Sequence, residues 1–372
     1  MKSHKYILHF VLLSLMFPLA VLAQKNDEIF RAAGSPHNPK VQISFNKYYT
    51  AEGLAALSKK MADAYPDLVK RKSIGKSTEG RDIWMMAITN YKVGDADRKP
   101  GFYVDGNIHS NEIQGAEICT YTAWYLTENF GDIDYITNML NDRIFYIVPT
   151  INPDARNNYM KEANTGSSPR AGMIPMDDDR DGLFDEDGLE DLDGDGSVTT
   201  MRRKNPNGNM IVDPKDPRMM IEIGPDDVVT AQRYEYLGSE GIDNDGDGEV
   251  NEDRPGYYDP NRDWAWKWQP DYIQRGAYKY PFSAPETRAV ADFVLSRPNI
   301  AGAQSFHNSG GMILRGPGAE EDLSTYNRAD IAIYDAIGKK GERMLPGYSY
   351  LTVYKDVSAV FGGELEWFYG SR

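Results

Sequence analysis

Residues 100–130, PGFYVDGNIHSNEIQGAEICTYTAWYLTENF, contain a complete strand–turn–helix pattern. The segment 100–108 is short and apolar, which is typical of a strand, and it runs into a Gly-Asn turn. The segment 112–130 has the length and the apolar spacing of a helix. His109 and Glu112 lie at the turn between the two elements, a position where folds often place functional side chains.

The same alternation continues on both sides of this segment. We expect an amphipathic helix from about Tyr49 that is limited by Pro66, and a second helix at 287–298. Strands are predicted at 82–89, at 142–155 and, with a following loop, from residue 300 to 316. Alternating strands and helices favour a sheet covered by helices. The predicted fold class is therefore α/β.

The first 23 residues have the features of an export signal. Lys2 and Lys5 precede an apolar run at 7–22, and small residues at Val21 and Ala23 come before Gln24. The alternative is an N-terminal membrane anchor, although this run is short for a spanning helix. We expect a secreted or periplasmic protein that has no membrane segment once the signal is removed. Its predicted parts are a signal peptide at 1–23, a lead-in at 24–45 and one domain at 46–372.

The composition excludes several classes of protein. Hydrophobic residues make up 41% of the 372-residue chain and aromatic residues 12%, which is enough for a real core. The single cysteine, Cys119, excludes an internal disulfide and a cysteine-rich metal site. The net charge of −15 without a dominant basic patch argues against a nucleic-acid partner.

The negative charge is concentrated in an insertion that we predict at 156–258. Its stretches 177–195 and 243–253 hold 17 acidic residues and one basic residue, and the rest of the chain is nearly balanced. Three copies of Asp-x-Asp-x-Asp-Gly occur there. Alternate carboxylates before a turn-forming glycine suit a hard cation such as calcium, although no copy has the Glu at position 12 of a complete EF-hand. The alternative is a solvated acidic loop. The nine candidate calcium ligands are Asp177, Asp179, Asp181, Asp191, Asp193, Asp195, Asp243, Asp245 and Asp247.

Few histidines remain outside the predicted signal. They are His37, His109 and His307. His109 and Glu112 are three residues apart in a strand-end turn, and His307 follows the apolar strand that begins at residue 300. Two imidazoles and one carboxylate can coordinate a zinc ion that keeps a fourth position open. By itself a His-x-x-Glu pattern is also compatible with an ordinary surface turn.

Six short motifs extend over most of the chain in a recognisable order. They are IGKSTEGRDIW (74–84), DGNIHSNEIQGAE (105–117), PTINPDARN (149–157), DPNRDW (259–264), AQSFHNSGG (303–311) and GGELEW (362–367). In this order they resemble the zinc carboxypeptidases of the M14 family, over residues 46–372 apart from the insertion. The resemblance implies a mixed, mainly parallel β-sheet flanked by helices. It also implies a zinc enzyme that acts on the C-termini of peptides or proteins.

The resemblance also implies roles for individual residues. His109, Glu112 and His307 match the zinc ligands, and Asp259 matches the carboxylate that holds the first ligand's other ring nitrogen. Further matches concern the substrate. They are Asn261 and Arg262 for the terminal carboxylate, Arg202 for the oxyanion (Arg203, one register away, ranks second), and Leu365 for a pocket that favours apolar C-terminal residues.

The sequence also departs from the family. No residue matches the general-base glutamate, since Glu364 and Glu366 fall in the wrong segment, and Asn111 stands where better-known members have an arginine. We therefore expect the 372 residues to be a fragment that ends before a core strand. One alternative is a non-catalytic pseudoenzyme that binds zinc and peptide. The other is a calcium-organised adhesion or scaffold module, in which His109 would not matter.

Overall fold

A computed structural model describes residues 34–165, 170–177, 180–251, 253, 256, 258–308 and 310–371. The predicted signal peptide and Asp179 lie outside these residues. The strands in chain order are β1 (Val69–Lys76), β2 (Asp82–Ile88), β3 (Gly101–Gly106), β4 (Ile144–Val148), β5 (Asn164–Thr165), β6 (Ser197–Val198), β7 (Thr200–Lys204), β8 (Met210–Val212), β9 (Met220–Glu222), β10 (Tyr234–Ser239), β11 (Ile300–Phe306), β12 (Met312–Arg315) and β13 (Ser349–Thr352). The α-helices are α1 (Ala51–Ala64), α2 (Gln114–Glu128), α3 (Asp134–Asp142), α4 (Pro153–Lys161), α5 (Pro285–Leu295), α6 (Arg328–Met344) and α7 (Glu364–Gly370).

The main sheet has five strands in the order β1-β2-β4-β3-β11. Strand β2 is antiparallel to both of its neighbours, whereas β4, β3 and β11 are parallel to one another. Strand β1 therefore shares the direction of these three strands, and four of the five run the same way. This arrangement confirms the predicted α/β fold with a mixed, mainly parallel sheet.

The strongest sequence patterns gave the correct elements. Helices α1, α2 and α5 and strands β2, β3, β4 and β11 all fall where the pattern predicts them. Strand β1 was missed because its sequence, VKRKSIGK, buries only Val69 fully and has three charged residues in a row at 70–72. It forms because β2 pairs with it along its whole length.

Two apolar clusters cover the two faces of the main sheet. Neighbouring side chains of β3 belong to different clusters. Val104 packs into the cluster with α1 and α2, and Tyr103 packs into the cluster with α5. This alternation is expected because successive side chains of a strand point to opposite faces. Cys119 is fully buried in the first cluster, and burial raises the pKa of its thiol.

The insertion builds its own small elements. Strands β7, β10, β8 and β9 form an antiparallel sheet in that order, and β5 pairs with β6. Helix α4 begins before the predicted boundary at residue 156, so the start of the insertion belongs to a helix of the surrounding fold.

Two parallel neighbours fix the position of the candidate site. Phe306, the last residue of β11, pairs with Gly106, the last residue of β3, so the loops that follow both strands begin side by side. The start of α2 packs very closely here. A Cβ atom on Gly106 would lie 2.7 Å from the carbonyl group of Gly115, and one on Gly115 would lie 2.7 Å from the carbonyl oxygen of Phe306. These contacts hold the loop at 107–113 against the end of β11.

The described residues contain no candidate membrane-spanning helix. None of their helices combines the length and the apolar character that crossing a bilayer requires.

Candidate metal centre

Three side chains converge where β3 and β11 end. The Nδ1 atom of His109 lies 3.0 Å from Glu112 Oε1, and the Nδ1 atom of His307 lies 2.7 Å from Glu112 Oε2. The two histidine Nδ1 atoms are 3.1 Å apart. One ligand atom from each residue falls within 4.8 Å of the others, so the group can hold a metal ion.

Buried polar contacts shape the loop that carries His109 and Glu112. Asn107 adopts a left-handed backbone conformation with φ of 57°, and its side-chain amide donates to the carbonyl oxygens of His109 and Ser110. The guanidinium of Arg156 donates to Asn107 Oδ1 at 3.0 Å and pairs with the carboxylate of Glu117 on α2. The sequence therefore turns sharply after β3 and aims both site residues at β11.

Asp259 lies on the other side of the His109 ring. Its Oδ1 atom is 3.0 Å from His109 Nε2 and also accepts from the backbone N–H of Asn261. A carboxylate in this position fixes the ring's orientation and leaves Nδ1 free to act as a ligand. Asp259 is therefore placed to orient a metal-binding histidine.

The charges of the cluster shift the protonation of its members. Burial opposes ionisation of Glu112, but the hydrogen bonds and charges of His109 and His307 outweigh it and lower the Glu112 pKa. Burial likewise opposes ionisation of Asp259, yet its contact with His109 lowers the Asp259 pKa. Burial also disfavours protonated His109, but the two carboxylates raise its pKa. Two ionised carboxylates thus face one imidazole, which is an environment suited to a cation.

The donor set fits zinc. Zinc commonly takes histidine nitrogen and carboxylate oxygen ligands, and its catalytic sites use three protein ligands. Here two imidazole nitrogens point at each other at a distance of 3.1 Å beside an ionised carboxylate, so without a cation at least one nitrogen must carry a proton. His109 and Glu112 are almost fully buried, while about a third of the His307 side chain is exposed. The open side of the site therefore lies next to His307.

The residues expected to bind substrate lie beside Asp259. Arg262 Nη1 is 3.7 Å from Asp259 Oδ2, and the Nε atom of Arg262 is buried with no hydrogen-bond partner among the described residues. Asn261 Oδ1 accepts from the backbone N–H of Glu364 at the start of α7. Leu365 follows Glu364 and is partly exposed, so the structure brings Asn261, Arg262 and Leu365 into one neighbourhood.

Arg202 and Arg203 lie on β7 in the insertion. The guanidinium of Arg202 stacks over the ring of Tyr234 at 4.6 Å, and its Nη1 contacts the sulfur of Met220. Arg203 pairs with Glu235 on the neighbouring strand β10. Over the described residues, these contacts all lie within the insertion, and none joins either arginine to His109, Glu112 or His307.

One residue at the site was not expected from the sequence. Arg170 donates from Nε to Asp259 Oδ2 at 3.0 Å and from Nη1 to Glu112 Oε1 at 3.2 Å. It lies in a segment without helix or strand periodicity, and no motif marked it. Only the folded chain brings it to two residues that are 58 and 89 positions away.

The acidic loops form compact turns. Gly182, Gly196 and Gly248 have φ values of 99°, 88° and 101°, which confirms that each repeat turns at its glycine. The carboxylates of Asp191, Asp193 and Asp195 lie together, as do those of Asp243, Asp245 and Asp247. In the first repeat Asp181 instead groups with Glu186 and Asp245, while Asp177 is not part of that group and Asp179 lies outside the described residues.

The sequence matches the family description of zinc carboxypeptidases at residues 54–175 and 225–371, which is more than half of the chain. The unmatched residues 176–224 lie inside the predicted insertion. Carboxypeptidase D of Drosophila melanogaster is 28% identical over 44% of the chain and 12% of its own length. The inactive metallocarboxypeptidase ECM14 of Ajellomyces capsulatus is 28% identical over 36% of the chain and 22% of its own length. The chain thus spans less than a quarter of each of these relatives.

The fold is similar to that of solved carboxypeptidase-like structures. Thrombin activatable fibrinolysis inhibitor superposes with a TM-score of 0.56 at 16% identity, over 87% of this chain and 65% of that chain. At this level of identity the likeness concerns the fold alone.

Proposed function

Because the chain belongs to the zinc carboxypeptidase family, we propose that it is the catalytic domain of an exported metallocarboxypeptidase. Such an enzyme would remove the C-terminal residue of a peptide. One observation carries the proposal: His109, Glu112 and His307 converge from two neighbouring strand ends, and Asp259 holds the far side of His109. We infer that these three residues are the zinc ligands.

The residues around the metal would each perform one task. When bound, zinc supplies Lewis-acid chemistry, which polarises the scissile carbonyl and makes water more acidic. Asp259 would keep His109 in the tautomer that has its proton on Nε2, because the carboxylate accepts a hydrogen bond from that N–H. The unprotonated Nδ1 atom would then face the metal. Partial exposure of His307 would leave the substrate side of the site open.

Recognition of the terminal carboxylate would come from the 259–262 turn. The unpartnered Nε of Arg262 and its remaining N–H groups form a planar fork, which matches two carboxylate oxygens. Asn261 would add an amide donor, since its Oδ1 atom is already engaged by Glu364. An apolar Leu365 nearby would favour apolar C-terminal residues. Arg202 remains the predicted oxyanion partner, with Arg203 as the alternative.

A second candidate function is a non-catalytic protein that binds zinc and peptide. It is favoured by the likeness to the inactive metallocarboxypeptidase of Ajellomyces capsulatus. Both candidates share the same zinc ligands and the same carboxylate recognition. They differ only in turnover, because hydrolysis needs a group that accepts a proton from water.

Calcium is a separate proposal for the insertion. Its support is the convergence of three carboxylates in each of two loops and between the first and the third loop. The alternative is a solvated surface, since exposed acidic groups are also common without an ion. We propose a structural role, because no described residue of the insertion belongs to either of the two apolar clusters that form the core.

The metal assignment predicts the zinc content of variants. We expect about one zinc per chain, and His307→Ala should lower the zinc content strongly because one of three protein ligands is lost. His37→Ala is the matched control and should keep its zinc. Elemental analysis of dialysed protein measures both. Wild-type zinc content in His307→Ala would reject the assignment.

The recognition of a carboxylate predicts a difference between two peptides. The zinc-loaded protein should bind a peptide with a free C-terminus at least tenfold more tightly than the corresponding C-terminal amide, since the amide leaves the Arg262 fork partly unpaired. Arg262→Ala should remove most of this difference by weakening the acid. Calorimetric titration measures affinity without requiring turnover. Equal binding of both peptides by the wild-type protein would contradict the proposed function.

A further inference from the structure

Arg170 connects the two carboxylates of the candidate site. Its Nη1 atom donates to Glu112, a proposed metal ligand, and its Nε atom donates to Asp259, which holds His109. The guanidinium therefore lies between the metal position and the 259–262 turn. Any peptide with its last peptide bond at the metal and its carboxylate at Arg262 would extend past this group.

A second guanidinium meets the same oxygen atom. Asp259 Oδ2 is 3.0 Å from Arg170 Nε and 3.7 Å from Arg262 Nη1. Two arginines that share one carboxylate oxygen must hold their guanidinium groups close together. Their mutual repulsion is reduced by Asp259 in the free protein, and it would be reduced further by an anion placed between them.

Both arginines keep N–H groups available for such an anion. A guanidinium has five N–H donors, and the hydrogen bonds of Arg170 to described residues use two of them. The Arg170 side chain is 47% exposed, so the remaining donors reach solvent, whereas that of Arg262 is only 17% exposed. Arg170 thus lies at the entrance of the site and Arg262 lies deeper.

The charge balance favours an anion at this position. The carboxylates of Glu112 and Asp259 lie against the two arginines and offset their charges. A divalent metal ion on His109, Glu112 and His307 would then leave an excess of positive charge in a mostly buried site. Such an excess attracts an anionic ligand more strongly than it would in water, because the local dielectric constant is lower.

We propose that Arg170 is a substrate-binding residue which forms, together with Arg262, a two-guanidinium subsite for the C-terminal carboxylate. This proposal rests on the proposed function and deepens it. Arg262 would bind the carboxylate from the buried side and Arg170 from the entrance. Because Arg170 also contacts Glu112, the subsite would lie next to the metal position.

Affinity measurements on zinc-loaded full chains test this proposal. The probe is an acetylated tripeptide that ends in leucine and whose last peptide bond is N-methylated to resist hydrolysis, paired with its C-terminal amide. Arg170→Ala should weaken binding of the free acid at least tenfold and should change binding of the amide less than twofold. The affinity of Arg170→Lys for the free acid should lie between those of the wild type and Arg170→Ala, since an ammonium group keeps the charge but not the planar fork. Arg218→Ala, at an exposed arginine of the insertion, is the matched control and should behave as wild type.

Two outcomes would overturn the role of Arg170. One is an Arg170→Ala protein that binds the acid within twofold of wild type while Arg262→Ala loses at least tenfold. The other outcome concerns the case in which elemental analysis shows that Arg170→Ala has lost its zinc. The Arg170→Lys variant then provides the test, and the proposal is rejected if this variant binds the free acid with wild-type affinity. If the wild-type protein itself does not prefer the acid over the amide, the proposed function fails together with this inference.

Discussion

At the scale of single residues, the chemistry of the candidate site depends on side chains that are buried and still charged. Glu112 and Asp259 remain ionised because histidines and arginines surround them. The residue types and their spacing are enough to predict His109, Glu112 and His307 as a group from the sequence alone. The same reasoning could not predict Arg170, because its partners are distant in sequence and a lone arginine in a polar segment carries no pattern.

In contrast to Glu112 and Asp259, Glu366 has a raised pKa, which leads to a prediction about the pH dependence of stability. It is 4% exposed on α7, accepts from the hydroxyl of Tyr326, and burial together with the charge of Asp322 raises its pKa to about 7. Its pKa in the unfolded chain is about 4.3. The folded pKa is the higher one, so its contribution to stability is complete below pH 4 and is lost as the pH rises through 7. The loss is on the order of 3 kcal/mol.

Glu366→Gln should remove this contribution to the pH dependence. The difference in unfolding free energy between the variant and the wild type should shift in favour of the variant between pH 5 and pH 8. Urea unfolding at several pH values measures it. Glu321→Gln, at an exposed glutamate nearby, should show no such trend. A constant difference for Glu366→Gln across this range would show that the folded protein does not hold Glu366 protonated.

At the scale of elements, local patterns predicted what is local. Apolar periodicity gave α1, α2, α5 and the central strands because each buries one face or stripe of its own sequence. It could not give β1, which depends on its pairing with β2, nor the contacts between α5 and the 259–264 segment. The start of α5 lacks a capping side chain of its own, since its cap residue is Ala284.

Asp263, 21 residues before Ala284, holds the start of α5 by other hydrogen bonds, which leads to a stability prediction. Its Oδ2 atom accepts from the N–H of Ala284 at 3.0 Å and from the hydroxyl of Thr287, and its Oδ1 atom accepts from Ser283. Asp263→Ala should lower the free energy of unfolding by about 2–4 kcal/mol, because buried donors lose their acceptor.

Urea unfolding at pH 7 measures the effect. Asp95→Ala, which removes an exposed cap of a short 3-10 turn, should cost less than about 1 kcal/mol. Because Asp263 follows Arg262 directly, Asp263→Ala should also weaken binding of a free-acid peptide. A variant as stable as the wild type would mean that water replaces all of these hydrogen bonds.

At the scale of the whole molecule, the chain combines a well-packed α/β core with an acidic insertion of different character. Composition located the insertion and its charge, but it did not predict the small sheet of β7 to β10, whose strands bury none of their residues fully. It also did not predict that Glu240 would order one acidic loop by accepting from the backbone N–H groups of Leu192 and Thr199. Backbone hydrogen bonds of this kind leave no periodic signal.

The excess charge of the insertion predicts a dependence on cations. Removing calcium should loosen residues 170–255 and leave zinc bound, because the clustered carboxylates repel one another without a counter-charge. Limited proteolysis with and without a chelator that spares zinc measures this, and elemental analysis checks the zinc. Cleavage in α1 and α2 is the internal control and should not change. Identical cleavage of the insertion in both conditions would favour the solvated-loop alternative.

Because Cys119 is buried, its reactivity can be used to measure how often the native structure opens around α2. A thiol-reactive dye cannot reach the side chain while α2 is packed, so the rate of labelling counts excursions to open states. The cysteine lies on the helix that follows the Glu112 loop, and a ligand that binds only the closed form suppresses those excursions in proportion to its saturation. Added zinc should therefore slow labelling in the wild-type protein and have little effect in His307→Ala. The labelling rate of Cys119, measured at increasing zinc concentrations, would then give the metal affinity without substrate, turnover or an engineered label.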